Sequence, residues 1–408
     1  MKNRIIMLII AAAMGVFISA CGNSREQDND SEADIKVESS QAEVPENESE
    51  SETTDEVIDA PRSENIPEDN DWAENSDPKQ SFEVDLGADG KAMLYTYQGD
   101  GDNGARINIV QNGNLVNSTD ASRTWGDDRW IMNTVKAIGF VDYDIDGNND
   151  MIVIGDTSDG EKILIYHHNS QDDADLYQNI YTINDELGKY VEDNTANCTI
   201  SEVKKCLMDE YESSEKDWKA AYKHIVRVFD IMRNQSDHDT EYRYDLIDID
   251  GDSMRELLID NPGYSCSLYS YKDGHVICLM DSWGYGAMGN HGYEYAPGKN
   301  CLSNFNTDFA GLIGKQYFMS IKDNKLVTSY WSETYNFDDK NENGMPDDDE
   351  IEGDTFEDGV GKTLYYSDNS DLSEDDVKRK IEELSSYTYE YFTGTKSKDE
   401  IITIIDRA

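Results

Sequence analysis

The chain has 408 residues, with 86 Asp and Glu against 35 Lys and Arg and a formal net charge of −51. Such a surface repels phosphate, which argues against nucleic acid or anionic lipid headgroups as partners and makes divalent cations natural ones. Six cysteines spread over this length are no disulfide framework, so buried thiols are expected, with a single bridge possible.

At the N-terminus, Lys2 and Arg4 precede an apolar run too short to span a bilayer comfortably, which then gives way to Ser19, Ala20 and Cys21. A basic end, an apolar core and small residues before a cut make a secretory signal. Ile18-Ser19-Ala20-Cys21 also resembles the lipobox of bacterial lipoproteins. That resemblance implies removal of residues 1–20, diacylation of Cys21, and export to the outer face of the cell membrane, as in a Gram-positive bacterium. Residues 22–80 hold 20 acids, four bases and almost no aromatics. They cannot bury enough apolar surface to offset ordering entropy, so 21–80 is expected to be a lipid-anchored, disordered acidic tether with a reach of roughly 40 to 45 Å.

From residue 81 the pattern is that of short strands. "SFEVDL", "KAMLYTYQ" and "RINIVQNGNLVN" lead off, the last with a hairpin signal at Asn112-Gly113. "VKAIGFVDYD", "MIVIG", "KILIYHH" and "LYQNIYTI" follow. Between 199 and 236 the period becomes helical: Val203, Leu207 and Tyr211 form one stripe, and Trp218, Tyr222, Ile225, Phe229 and Met232 form another, with Ser214 offering a cap. Strands return at "YRYDLIDID", "ELLID", "CSLYSYKDGHVICLM", "GYEYAP", "YFMSIKDNKLVTSYW" and "KTLYYS". Two helices close the chain: one capped by Ser373 burying Val377, Ile381 and Leu384, the other starting at Ser397 and burying Ile401, Ile404 and Ile405. The fold class expected is mainly β (α+β), built of antiparallel, propeller-blade-like modules at 81–198 and 237–408 joined by the helices of 199–236.

Three acidic loops carry the chemistry. In the first, Asp142, Asp144 and Asp146 occupy positions 1, 3 and 5, with Gly147 at 6 and Asp150 at 9. In the second, 106 residues on, Asp248, Asp250, Asp252, Ser253 and Glu256 take the same places. Oxygens at alternating positions converge on one point only if the chain wraps around it, and calcium, wanting 6 to 8 oxygens, supplies that point. The backbone carbonyls of Asn148 and Met254, at position 7, would add to the shell. These loops resemble the D-x-D-x-D-G-x-x-D calcium loops of FG-GAP and VCBS-type repeats, found in integrin-like propellers and bacterial surface proteins. The second departs by Ser253 and Glu256.

The third loop, "DKNENGMPDDDE", matches an EF-hand template at Asp339, Asn341, Asn343, Gly344, Asp347 and Glu350, with the carbonyl of Met345 at position 7. Pro346 and the lack of flanking helices make it a structural calcium loop, not a sensor. Calcium is thus the cofactor expected at all three. A transition metal would want imidazole or thiolate, and the sequence places none beside the loops.

No G-x-S-x-G elbow, H-E-x-x-H pair or phosphate-cradling glycine loop is present. His167 and His168 are neighbours on a strand and point to opposite faces, so the two cannot readily share an ion. His224 falls on a helix, and His238 and His275 sit by turns. Tyr285, His291, Tyr293 and Tyr295 lie in the glycine-rich "GYGAMGNHGYEYAPG", a candidate ligand loop. The function expected is a non-enzymatic binding or adhesion module for extracellular glycan, peptide or protein; the alternative is an extracellular hydrolase acting on carbohydrate, through carboxylates that sequence spacing does not reveal.

Overall fold

The computed structural model describes residues 72–408, apart from 102, 124–128, 170–178, 209, 210, 212–216, 233–240, 288, 342, 348, 349 and 351–361. Cys21 with its signal segment, the tether up to residue 71, the Ser214 cap and His238 lie outside the described residues. The ordered body starts within the stretch assigned to the tether. Trp72 is buried, its carbonyl accepts from Tyr97 Oη at 2.6 Å, and Asp77 N–H donates to Thr96 O at 2.7 Å.

The protein is mainly β, with antiparallel sheets and five helices among the described residues. Three four-stranded sheets follow one another as meanders, each strand pairing with its neighbour in sequence. The first holds β1 (Phe82–Asp85), β2 (Lys91–Tyr97), β3 (Arg106–Gln111) and β4 (Asn114–Asp120). After a short pair, β5 (Ser122–Arg123) with β6 (Trp130–Ile131), the second holds β7 (Thr134–Val141), β8 (Asp150–Thr157), β9 (Gly160–His168) and β10 (Tyr181–Ile183).

Helices α1 (Asp185–Asn194), α2 (Ile200–Met208) and α3 (Trp218–Met232) come next. The third sheet holds β11 (Arg243–Ile247), β12 (Glu256–Asn261), β13 (Ser265–Lys272) and β14 (His275–Gly284). The fourth has six strands: β15 (Asn290–Ala296), β16 (Cys301–Asp308), β17 (Ile313–Lys322), β18 (Lys325–Tyr335), β19 (Lys362–Ser367) and, pairing back on β15, β20 (Glu390–Tyr391). Helix α4 (Glu374–Ser385) precedes β20, and α5 (Lys398–Arg407) ends the chain.

Strand alternation explains the packing. On β8, Met151 and Val153 face the first sheet, while Ile152 and Ile154 face α1 to α3. A strand covered on both faces reads as an unbroken apolar run, which is why "MIVI" does not alternate. On the other side of the helices, α3 and α5 cover Leu257, Ile259 and Tyr269 of the third sheet, whose opposite face packs against Tyr293, Tyr295 and Leu302 of the fourth. Helix α4 covers the outer face of the fourth sheet through Val377, Ile381 and Leu384. The layers run sheet, sheet, helices, sheet, sheet, helix.

Turn chemistry sets the registers. Asn112 (φ 52°) and Gly113 (φ 82°) join β3 to β4, with Gln111 opposite Asn114. Asp273 and Gly274 do the same between Lys272 and His275. Ser373 and Ser397 cap their helices, the latter in a reciprocal box with Glu400.

The short strands β5, β6 and β20 escape the sequence reading, and so do two longer elements, α1 and β16. Helix α1 contains Gly188, a poor helix former, packed over the carbonyl of Ile163. Strand β16 buries Ser303 and Asn304, polar residues satisfied by Gln316 Nε2 at 2.6 Å and by the carbonyl of Gly292 at 2.8 Å. All five described cysteines are free thiols.

Candidate metal centre

The first loop turns back on itself through its own backbone amides. Asp142 accepts from Asp146 N–H at 3.0 Å and Gly147 N–H at 3.1 Å, and Asp146 accepts from Asn148 N–H at 2.7 Å. Asp150, at the start of β8, is fully buried; it accepts from Tyr143 N–H at 3.0 Å and from His168 N–H at 2.9 Å. These bonds place the carboxylates around a common centre, where oxygens of Asp142, Asp144 and Asp150 lie within 4.8 Å of one another.

Two features mark this centre as a place for a cation. Asp144 is 1 % exposed, yet neither of its oxygens accepts a hydrogen bond. Asn148, also buried, leaves Oδ1 without a donor. A buried carboxylate without partners costs several kcal/mol unless something positive compensates it. The electrostatics agree. Burial, then the charge of Asp144, pushes the Asp142 pKa up to about 7. Burial and Asp150 bring Asp144 to about 6; burial brings Asp150 to about 6 against the pull of His167; burial and Asp144 carry Asp146 well above the usual range.

The expectation that no imidazole lies near is overturned. His167 Nδ1 sits 3.3 Å from Asp144 Oδ2 and 3.4 Å from Asp150 Oδ1, and His167 groups with Asp144 and Asp146 as residues that could hold a metal ion. The cause is register: Met151 pairs with Tyr166, so the next residues out, Asp150 and His167, stand side by side. His168 points to the opposite face, 3.2 Å from Asp89, as strand alternation requires. From the third sheet, Asp281 on β14 reaches to 3.5 Å from His167 Nε2. Burial opposes charge on the His167 ring, but the surrounding acids outweigh it and raise its pKa well above the usual value.

The second loop repeats the wrap. Ile249 N–H donates to Glu256 Oε2 at 2.9 Å, the counterpart of Tyr143 to Asp150, and oxygens of Asp250, Asp252 and Glu256 lie within 4.8 Å of one another. Asp248 accepts from Gly251 N–H at 2.7 Å and stands outside that trio. Burial raises the Glu256 pKa to about 7. Each loop is also braced by a glycine turn from the neighbouring sheet. Ala88 N–H donates to Gly147 O and Asn149 N–H to Leu86 O, both at 3.0 Å; Gly298 N–H donates to Asp248 O at 2.9 Å and Asn300 N–H to Ile249 O at 2.7 Å. From α3, His224 Nε2–H donates to Tyr143 O at 2.7 Å.

In the third loop Asp339 accepts from Asn343 and Gly344 N–H at 3.1 and 3.0 Å, while buried Glu350 takes Lys340 N–H at 2.7 Å and Asp347 N–H at 3.2 Å. Asn341 and Asn343 hold Asp347 through their side-chain amides. Met345 is exposed.

The described residues of the tyrosine-rich loop go to different surroundings. Tyr293 and Tyr295 are buried between the third and fourth sheets, Tyr295 Oη donating to Glu390 at 2.8 Å, and Tyr285 Oη bonds Asp260. His291 is exposed beside Phe305, their ring centres 5.3 Å apart.

The fold and the loops define an antiparallel, β-rich α+β protein with acidic clusters that could hold a metal ion. Compared with family models, curated proteins and solved structures, the chain matches none of them.

Proposed function

We propose that the protein is a bacterial cell-surface lipoprotein, held by Cys21 to the outer face of the membrane on its acidic tether, whose β-rich body is clasped by divalent metal ions and serves as a non-catalytic binding module. The observation that carries the metal reading is the buried carboxylate of Asp144 at the focus of the first loop, whose oxygens accept no hydrogen bond and whose ionic neighbour is His167. Calcium suits the all-oxygen loops at 248–256 and 339–350, because it takes 6 to 8 oxygen ligands in tolerant geometry. The first loop has the same wrap and adds an imidazole. The likeness to FG-GAP and VCBS-type loops supports the same reading, since the position-2 amide holds the position-9 acid in both copies.

A ligand-binding role draws on exposed aromatic surface. Phe305 (39 % exposed) lies beside His291 and Phe309 (52 %) follows just after the strand that carries Phe305, and flat rings of this kind stack on sugars or anchor protein partners. Immobilised full-length protein, screened against extracellular glycans and peptides with and without calcium, tests the role. Retention without release of cleaved product is the expected outcome; product release would replace the binder with a hydrolase.

A further inference from the structure

The two related loops differ in one donor. In the first, the residue beside Asp150 on the adjacent strand is His167; in the second, the same register puts Ser270 beside Glu256, its hydroxyl 3.4 Å from Glu256 Oε1. One loop therefore offers oxygen alone and the other oxygen with an imidazole nitrogen.

His167 pairs with these acids as a counter-ion when no metal is bound, and its ring is placed so that a metal ion could replace the proton on Nδ1. Nδ1 lies 3.3 and 3.4 Å from Asp144 and Asp150 but forms no hydrogen bond with either, and Asp144 receives none from any group. Adjacent donors around an ion with bonds of about 2.1 to 2.4 Å stand about 3.0 to 3.4 Å apart, so these spacings are those of ligands sharing a centre. The far nitrogen, Nε2, faces Asp281 Oδ2 at 3.5 Å. A carboxylate behind the distal ring nitrogen is the arrangement that fixes the tautomer and orientation of metal-bound histidines.

Resting on the reading of the first loop as a metal clasp, we infer that this loop takes a divalent first-row transition ion of the manganese kind, bound by the Asp142, Asp144, Asp146 and Asp150 carboxylates and His167 Nδ1, with Asp281 as the positioning residue behind the ring. Carboxylates with a single imidazole suit such an ion, whereas calcium takes oxygen alone. Because His167 belongs to the second sheet and Asp281 to the third, the ion-bound ring also ties these two sheets together where the two side chains meet directly.

The test is a titration of chelator-stripped full-length protein with Mn2+ in saturating calcium, read by electron paramagnetic resonance with pulsed detection of nitrogen coupling. Wild type should hold one calcium-resistant Mn2+ with imidazole nitrogen coupling. His167→Ser, which copies the second loop, should lose the coupling and at least 10-fold in Mn2+ affinity, and Asp281→Asn should lose on the order of 10- to 100-fold. A bound Mn2+ without nitrogen coupling, or one displaced equally from wild type and His167→Ser by calcium, overturns the transition-ion assignment while leaving the calcium reading standing. No binding of either ion at this loop, with His167 remaining an imidazolium among the aspartates, overturns both. Should His167→Ser not fold, the nitrogen coupling of wild type decides alone.

Discussion

Asp144 and His167 are 23 positions apart in the chain, yet Oδ2 and Nδ1 lie 3.3 Å apart with no hydrogen bond between them. A buried acid and a ring nitrogen held this way can share either a proton or a metal ion, and the stability of the loop turns on which of the two is bound.

Asp144→Asn should change sign with metal. The wild-type carboxylate is destabilised by burial and by Asp150, its pKa standing near about 6. In chelator, the neutral amide should therefore raise stability by about 1 to 3 kcal/mol. With saturating metal it should lower it, because a charged ligand is gone. Urea midpoints in the two conditions check the crossing; the same sign in both would contradict it.

The metal-free body should become more stable as the solution is acidified from neutral. Asp142, Asp144 and Asp150 have folded pKa values of about 7, 6 and 6. Those values lie above the unfolded value of about 3.9, so the folded state binds protons more tightly. Stability from these groups is present in full below the unfolded pKa and is lost as pH rises through about 4 to 7. Saturating metal should remove this slope, since the ion and the protons compete for the same oxygens. Urea unfolding at pH 5 and pH 7.5, with chelator and with metal, measures it.

Gly87→Ala should loosen the first loop from outside. Gly87 has φ 88°, and a β-carbon there would stand 2.3 Å from Gly147 O and 2.8 Å from Asn148 Cα. The loop must move away, so its metal affinity should fall about 10-fold or more while the second loop is unchanged. Calorimetric titration resolves the two sites.

Glu350→Ala should remove the side-chain acceptor that Glu350 supplies to the Lys340 and Asp347 amides. The expected cost is about 1 to 3 kcal/mol, together with one fewer bound calcium per chain. Thermal unfolding and metal content report the two effects separately.

Much of the fold was legible because it rests on local rules. The Asn112-Gly113 and Asp273-Gly274 turns, the Ser373 and Ser397 caps and the unbroken run of β8 each announce themselves within a few residues. Helix α1 and β16 did not: one carries a glycine, Gly188, in its interior, the other buries polar side chains. In the candidate centre the loop acids were legible by spacing, whereas His167 was not recognised. A signal for it existed. The two-residue turn that pairs Thr157 with Gly160 fixes the register, and counting outward from it sets His167 opposite Asp150. Asp281 had no such signal, since β13 and β14 pair through two register shifts and it arrives from another sheet.

The central claim is that the acidic loops are structural clasps whose binding energy is folding energy. Thermal unfolding of the full-length protein in saturating calcium and manganese, against the same protein in excess chelator, tests it most directly. The midpoint should fall by about 5 °C or more when the ions are removed and return when they are restored. Identical midpoints in the two conditions would contradict it.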